Sequence, residues 1–290
     1  MSRLARFFQP EGRALSGAGV ALLMAPFFAL ILFVLVYPLG SLLSISLLEP
    51  VPTLEHYEKV VTNEVYARVL FRTLRIALFV SLLSLALAFP VAWLMATSKG
   101  PKAIFLTACI LLPFWSSILV RTAAWAVLLQ RHGLVNQGLQ GLGITNEPVQ
   151  LLYTQGAVVV AMTHVLMPFM VLPIYGALRN IPRDYLRASA ILGAGPIRTF
   201  LEVVFPLALP GVVSGFILVF LTALGFFITP ALLGSPQEMM IATLISQQIR
   251  EVLDWPFAAA LVGVLTLFVT LVALAFGRVV NFNRLMGARV

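Results

Sequence analysis

The side chains that could do chemistry are few in this chain, and they lie far apart. The three histidines, His56, His132 and His164, are isolated from one another, and no pair of acidic residues accompanies them at a catalytic spacing. The single cysteine, Cys109, lies in an apolar run. The chain contains no Ser/His/Asp arrangement, no metal-ligand cluster and no G-x-x-x-x-G-K-[ST] loop for a nucleotide phosphate. We therefore expect no catalysis and no bound metal, and any energy from ATP must enter through a partner protein.

One polar segment stands out instead, YLRASAILGAGPIRTFLEVVFPLALPG at residues 185–211, between two long apolar runs. Pro182 suits the first turn of a helix, because a backbone N–H at that position would have no acceptor within the helix. Helical spacing then places five residues on one face: Tyr185, Leu186, Ala188, Ser189 and Leu192.

A glycine hinge follows this first helix. Gly193 and Gly195 permit the backbone conformations that end a helix, and Pro196 can start a second one. Four apolar residues share a face there: Ile197, Phe200, Leu201 and Val204. Phe205-Pro206 is predicted to turn the chain back into the next apolar run. The pair of helices either lies on lipid headgroups, as amphipathic helices do, or docks onto a partner protein.

The composition places this segment in a membrane protein. The chain is 60% hydrophobic and 10% charged, whereas soluble chains have about 45–50% apolar and about 25% charged residues. A helix needs about 20 apolar residues to cross a bilayer. Six runs qualify: 18–46, 72–96, 103–129, 151–176, 206–232 and 256–277. We expect an all-α polytopic protein with a tail at 1–17, one membrane domain at 18–290 and a loop at 177–205.

Basic residues predict the orientation, because cytoplasmic loops retain Lys and Arg. With both termini inside, twelve of the 19 Lys and Arg residues lie on the cytoplasmic side, and eight of the 11 acids lie outside. The net charge of +8 is therefore a topology signal, and we expect no nucleic-acid partner. The segment 177–205 then faces the cytoplasm.

The polar segment resembles the EAA coupling loop of bacterial ABC-importer permeases. Gly193 takes the position of that loop's glycine, and Phe205-Pro206 takes the place of its Leu-Pro. Arg187-Ala188-Ser189 stands where Glu-Ala-Ala is expected, so the acid is missing. The resemblance implies a set of residues that contact the ATPase: Tyr185, Leu186, Arg187, Ala188, Ser189, Leu192, Gly193, Ala194, Pro196, Phe200 and Pro206.

Several further blocks are similar to permeases of the spermidine/putrescine importer type, in the first-permease position. They are LPFWSS at 112–117 followed by Arg121, MPFMVLP at 167–173, GFFITPALLG at 225–234 and DWPF at 254–257. The resemblance implies a type I importer permease fold in the bacterial inner membrane. It also implies a second, homologous permease, two cytoplasmic ATPases that hold ATP and Mg²⁺, and an external solute-binding protein.

Seven residues are candidates for the substrate pathway: Trp115, Arg121, Trp125, Phe226, Phe227, Asp254 and Trp255. The aromatic rings can hold a cation weakly, at roughly 0.5–2 kcal/mol each, although aromatic residues in spans more often pack or mark the interface. As a cation, Arg121 repels a polycationic cargo. Its alternative roles are to reach toward the outer interface or to donate a structural hydrogen bond to carbonyls of a neighbouring helix. Asp254 either attracts a cation or caps the helix at Trp255-Pro256. We expect His164 to be a hydrogen-bonded packing residue.

The sequence thus predicts a permease subunit of an ABC importer, with a polyamine as the first choice of cargo. The same machine carrying aminobutyrate, an opine or an aminophosphonate is the alternative. An ion-coupled secondary transporter is a remote one, because such proteins hold a carboxylate near mid-membrane. Every Asp and Glu of this chain falls in a predicted loop or tail.

Overall fold

The computed structural model describes residues 17–49 and 51–287, and every regular element in those ranges is helical. Most of the predicted N-terminal tail therefore lies outside the described residues. The helices are α1 (Gly17–Ile31, continuing through Leu32–Val36 into Tyr37–Leu48), α2 (Glu55–Thr62), α3 (Glu64–Thr97), α4 (Pro101–Leu111), α5 (Ile118–Leu129), α6 (Leu134–Gly141), α7 (Gln155–Arg179), α8 (Arg183–Ile191), α9 (Pro196–Thr199, continuing through Phe200–Val204 into Phe205–Leu224), α10 (Ile228–Leu233), α11 (Ile241–Gln247) and α12 (Trp255–Gly287).

Helices α3, α7 and α9 form the core of the bundle, with α7 at its centre. Asn63 and Thr154 start α3 and α7, because their side chains accept hydrogen bonds from the free N–H groups of Val65 and Ala157. Within the core, small residues let the helix backbones approach closely. The buried alanines include Ala88, Ala92, Ala157, Ala161 and Ala208.

Gly211 and Gly215 mark the closest approach of α9 to α7. A Cβ at Gly211 would lie 2.5 Å from the Cβ of Ala177, and one at Gly215 would lie 3.0 Å from the sulfur of Met170. The Gly-x-x-x-Gly spacing therefore serves packing within this subunit, as its sequence suggests.

Helices α1 and α12 pack against each other at the edge of the bundle. The hydroxyls of Ser46 and Tyr57 are 2.7 Å apart where α1 meets α2, and the Tyr57 hydroxyl would lie 2.9 Å from a Cβ at Gly263 of α12. Most side chains of α1 are exposed, because only 6% of the residues in its most apolar 18-residue stretch are buried. Its surface is one that lipid or another apolar surface must cover.

Five helices are long and apolar enough to cross a membrane, and they correspond to five of the six predicted runs. The sixth predicted run, 103–129, is not one continuous helix but a broken one. Its helical segments Pro101–Trp115 and Ile118–Gly141 are bent by 100° at the two residues between them. Pro113 lies in a 3-10 turn there, and Ser117 caps α5 by accepting a bond from Leu119 N–H.

The predicted turn at Phe205-Pro206 is also absent, because α9 runs without interruption from Pro196 to Leu224. A π turn at Phe200–Val204 comes just before Pro206, and Phe205 N–H bonds there to the Phe200 carbonyl five residues back. The wider turn accommodates a proline ring that would clash with the carbonyl four residues earlier in a regular α-helix. The helix ends at Leu224, short of the predicted 232, and α10 follows as a separate short helix.

Three of the predicted loops contain helices. The segment 47–71 holds α2 and the first turns of α3, 130–150 holds α6, and 233–255 holds α11. The α11 segment is fixed to α3, because the buried hydroxyl of Thr73 accepts a bond of 2.9 Å from Ile241 N–H.

Candidate coupling surface and translocation pathway

The glycine hinge between α8 and α9 has the geometry that its sequence predicts. Gly193 has φ +76°, a conformation that strains residues with a side chain. Its N–H bonds to the Ala190 carbonyl at 3.0 Å, and Ala194 N–H bonds to the Ser189 carbonyl at 3.0 Å. This pair of bonds closes the end of α8. Pro196 then begins α9, so only a few residues separate two helices of different direction.

Ser189 joins the two helices across this hinge. Its hydroxyl lies 3.1 Å from the Thr199 hydroxyl of α9 and donates a bond of 2.9 Å to the Leu186 carbonyl. The side chain is buried, whereas Leu192 is 86% exposed. Leu192 keeps the helical periodicity of α8, because its N–H bonds to the Ala188 carbonyl at 3.1 Å. The two residues differ in burial because Thr199 of α9 contacts Ser189.

The outer surface of the hinge is apolar and open. Five large apolar side chains are more than half exposed there, and we call them the hinge surface: Tyr185, Ile191, Leu192, Ile197 and Leu201. The charged residues around them pair locally, Arg187 with Asp184 at 3.3 Å and Arg198 with Glu202 at 2.9 Å. Arg187 stands where the EAA loop has its glutamate, and it therefore already pairs with an acidic residue of this chain. Ala188, Pro196 and Pro206 are exposed as well, and Ala194 is half-buried.

Phe200 anchors the hinge to the membrane bundle. Its ring makes edge-to-face contacts with Phe89 at 5.7 Å and with Trp93 at 5.6 Å, both on α3. Val204, one turn further along α9, is 2% exposed. Close-packed rings therefore connect the start of α9 to α3.

A polar surface lies on α5 and α7, within the apolar part of the bundle. The indole N–H of Trp125 can only donate, so Nδ1 of His164 is the acceptor of their 3.1 Å bond. The imidazole therefore carries its proton on Nε2. Arg121, one helical turn before Trp125, shares this face, and its Nε and Nη1 atoms are shielded from solvent and have no partner among the described residues. We call Arg121, Trp125 and His164 the polar triplet.

His164 is exposed although it belongs to the most buried of the candidate spans. The expected hydrogen bond is present, and the rings of His164 and Trp125 pack edge to face with their centroids 5.8 Å apart. An ionisable side chain at such depth faces protein or water in preference to lipid, because lipid contact costs at least about 2.5 kcal/mol for a charge. A lone histidine in an apolar helix is the signal that could have identified this residue.

The other pathway candidates do not join the polar triplet. Trp115 is 88% exposed at the break between α4 and α5, where it lines a groove with Tyr175 and Arg179. Phe226 is 8% exposed and belongs to the core, so it packs, and Phe227 is half-buried beside it. The predicted pathway residues therefore lie at several separate places in the fold and do not form one site.

Asp254 and Trp255 lie at the start of α12. One Asp254 oxygen accepts a bond of 3.0 Å from Phe257 N–H, so this residue is the helix cap that its sequence suggests. Its other oxygen lies 4.0 Å from Lys59, whose ammonium sits 4.4 Å from the centroid of the Phe257 ring. Trp255 is half exposed beside this pair. Elsewhere, a buried contact unforeseen from the sequence joins the Thr122 and Thr229 hydroxyls at 3.0 Å between α5 and α10.

Comparison with known proteins supplies the context for these surfaces. Residues 12–284 match the family described as binding-protein-dependent transport system inner membrane component. The chain is 32% identical over 245 residues to the spermidine/putrescine transport system permease protein PotB of Escherichia coli, covering 84% of this chain and 88% of that protein. It is 39% identical over 207 residues to the inner membrane ABC transporter permease protein YdcU of the same organism, covering 66% and 65%.

Solved structures share the fold. A chain of a bacterial ABC transporter that imports the acidic polysaccharide alginate superposes with a TM-score of 0.67 at 20% identity, covering 93% of this chain and 95% of that one. A chain of the methionine ABC transporter MetNI gives a TM-score of 0.58 at 19% identity, covering 75% and 95%. The architecture is therefore that of a type I ABC-importer permease.

Proposed function

The chain belongs to the family of binding-protein-dependent transport system inner membrane components, and we propose that it imports a polyamine as one permease of an ATP-driven transporter. In this proposal it pairs with a second, homologous permease, two cytoplasmic ATPases that bind ATP and Mg²⁺, and an external solute-binding protein. Both termini and the α8–α9 hinge face the cytoplasm, which the distribution of Lys and Arg supports.

The observation that carries the proposal is the exposed apolar hinge surface and its anchoring to α3. An apolar patch of this kind on a polar loop marks a protein interface. ATP-driven closure of the ATPases moves α8 and the start of α9 together, because Ser189 and Thr199 link them. Phe200 passes the displacement to Phe89 and Trp93, and the bundle changes between its inward- and outward-open forms.

A single charge on the hinge surface tests this docking. Leu192→Asp buries an unpaired carboxylate under the ATPase, which costs several kcal/mol. We expect at least about a tenfold loss of ATPase co-purification with the permease pair. Asn180→Asp adds the same charge at an exposed position outside the hinge surface and serves as the control. Equal co-purification of both variants contradicts the docking proposal.

The choice of a polyamine follows the named relative that matches over most of both chains. Two carboxylates, Glu64 and Glu202, belong to the described spanning helices, and each pairs with an Arg four residues away. Selectivity for a dication therefore resides largely in the binding protein and the second permease. Titration of the purified cognate binding protein with putrescine, spermidine, aminobutyrate and an opine tests this choice. Polyamine binding at far lower concentration than the other solutes is the expected result.

A solute that carries an acidic group is the second candidate cargo, and the polar triplet favours it. The Nε2–H of His164 lies on an exposed surface, and the half-buried Arg121 carries a positive charge one helical turn before Trp125. This donor and this charge suit a carboxylate or phosphonate and repel a dication. Arg121→Gln separates the two cargoes in an uptake assay. A raised KM for aminobutyrate indicates the acidic solute, whereas unchanged or faster putrescine uptake supports the polyamine.

A further inference from the structure

A cavity of about 710 Å³ lies at the end of the bundle that carries the hinge. The last turns of α3 and α7 and the first turns of α4 and α8 enclose it. Its lining includes Trp93, Tyr175 and Leu186. The cavity therefore lies at the level where helices leave the apolar layer.

All the charged residues that line this cavity are basic. Lys99, Arg179 and Arg183 line it, and no Asp or Glu is among the lining residues. Arg179 is held in place by Tyr175, because its Nη1 donates a bond of 2.7 Å to the Tyr175 hydroxyl. A guanidinium has further N–H donors that an anion can use. Lys99 forms no ion pair within the described part of the chain.

The cavity continues into an apolar groove of about 470 Å³ along α4. Ala103, Tyr175 and Arg179 line both spaces. The groove then follows one face of α4 over about 12 Å, from Ala103 to Leu111. Its further lining is almost entirely apolar: Ile104, Ala108, Leu112 and Trp115. Helix α4 has no fully buried residue, and Ile104, Leu112 and Trp115 along the groove are more than half exposed.

We propose that this cavity and groove bind an anionic phospholipid. Lys99, Arg179 and Arg183 bind the phosphate of the headgroup, and one acyl chain lies in the groove along α4. Basic pockets between membrane helices select acidic headgroups in this way. A free phosphate has no apolar part that could occupy the groove, and an acidic protein side chain is too short to fill it. Because Leu186 and Arg183 belong to α8, the bound lipid stiffens the base of the hinge.

The test counts lipids that remain bound to the intact importer by native mass spectrometry, with phosphatidylglycerol and phosphatidylcholine offered at equal concentration. We expect preferential retention of phosphatidylglycerol. Each charge removed should weaken retention about fivefold, so Lys99→Gln/Arg179→Gln loses it almost completely. Lys99→Gln alone is the second variant in case the double variant fails to assemble. Lys102→Gln removes a neighbouring charge that does not line the cavity, and it should retain lipid like the unaltered chain.

A separate variant examines the groove. Ala108→Trp fills it, and we expect lost retention of phosphatidylglycerol with the basic cavity intact. If glycerol 1-phosphate competes as well as the whole lipid does, the site binds a free anion and the proposal fails. Equal retention by Lys99→Gln and Lys102→Gln also overturns it. A Lys99→Gln variant that loses ATPase co-purification while retaining lipid assigns the cavity to the ATPase instead.

Discussion

Trp125 and His164 are joined by a hydrogen bond of 3.1 Å on an exposed surface within the apolar part of the bundle. The bond requires neutral His164 with its proton on Nε2, because both ring nitrogens of an imidazolium are donors. Arg121 lies one helical turn before Trp125 on α5. Polar groups within an apolar span face water or protein in preference to lipid.

Thiol labelling tests whether water reaches the polar triplet. In a Cys109→Ser background, which removes the single native cysteine, we expect a water-soluble methanethiosulfonate reagent to label His164→Cys in the assembled importer. Met162→Cys is the matched control, because Met162 is fully buried two residues earlier on the same helix. Labelling of Met162→Cys and protection of His164→Cys would place the lumen elsewhere.

Removing the Ser189 hydroxyl should uncouple the hinge. Ser189→Ala loses its contacts with Thr199 and Leu186, each worth about 1 kcal/mol. We expect the ATPases to bind almost normally but to drive transport less efficiently, so fewer solutes enter for each ATP hydrolysed. Measurement of uptake and phosphate release in the same proteoliposomes gives this ratio. Ser98→Ala, a change outside the hinge, should leave the ratio intact, and an unaltered ratio in Ser189→Ala would show that the link carries no coupling.

The contact between α7 and α9 should tolerate no side chain at Gly211. A Cβ there meets Ala177 at 2.5 Å and the Pro173 carbonyl at 2.6 Å, so Gly211→Ala should cost about 1–3 kcal/mol. We expect a lower melting temperature of the purified complex. Gly176→Ala on α7 meets no atom within 4 Å and serves as the control. A complex equally stable with either alanine would refute the close approach.

Two substitutions separate the roles of Asp254. Asp254→Ala removes the acceptor of Phe257 N–H and should destabilise the chain by about 1 kcal/mol. Asp254→Asn keeps an acceptor and removes only the charge near Lys59, a partly exposed pair worth less than about 1 kcal/mol. We expect the melting temperature of Asp254→Asn to be close to that of the unaltered chain and the melting temperature of Asp254→Ala to be lower. If Asn is as destabilising as Ala, the charge dominates and the cap does not.

Hydropathy could predict most of the architecture, since five of the six apolar runs correspond to helices long and apolar enough to cross a membrane. The bend at Leu112–Ser117 could not be predicted from hydropathy, because a run remains apolar whether or not its axis turns. Pro113 and the capping Ser117 were the local signals for it. Similarly, the helix continues through Pro206 because a π turn precedes it, which residue spacing does not reveal.

The candidate site was predictable to a smaller extent. Gly193 and Pro196 identified the hinge, because their backbone restrictions are local. Ser189 is buried while Leu192 is exposed, and Phe226 packs in the core, because tertiary contacts decide which side chains are covered. The partnership of Trp125 with His164 joins residues far apart in sequence, so no local pattern could predict it.

Putrescine uptake into proteoliposomes that contain the complete importer tests the central claim most directly. We predict that uptake requires both enclosed ATP and the cognate binding protein, and that Leu192→Asp abolishes it while Asn180→Asp does not. Uptake that follows an imposed proton or sodium gradient without ATP would contradict an ATP-driven permease coupled through the α8–α9 hinge.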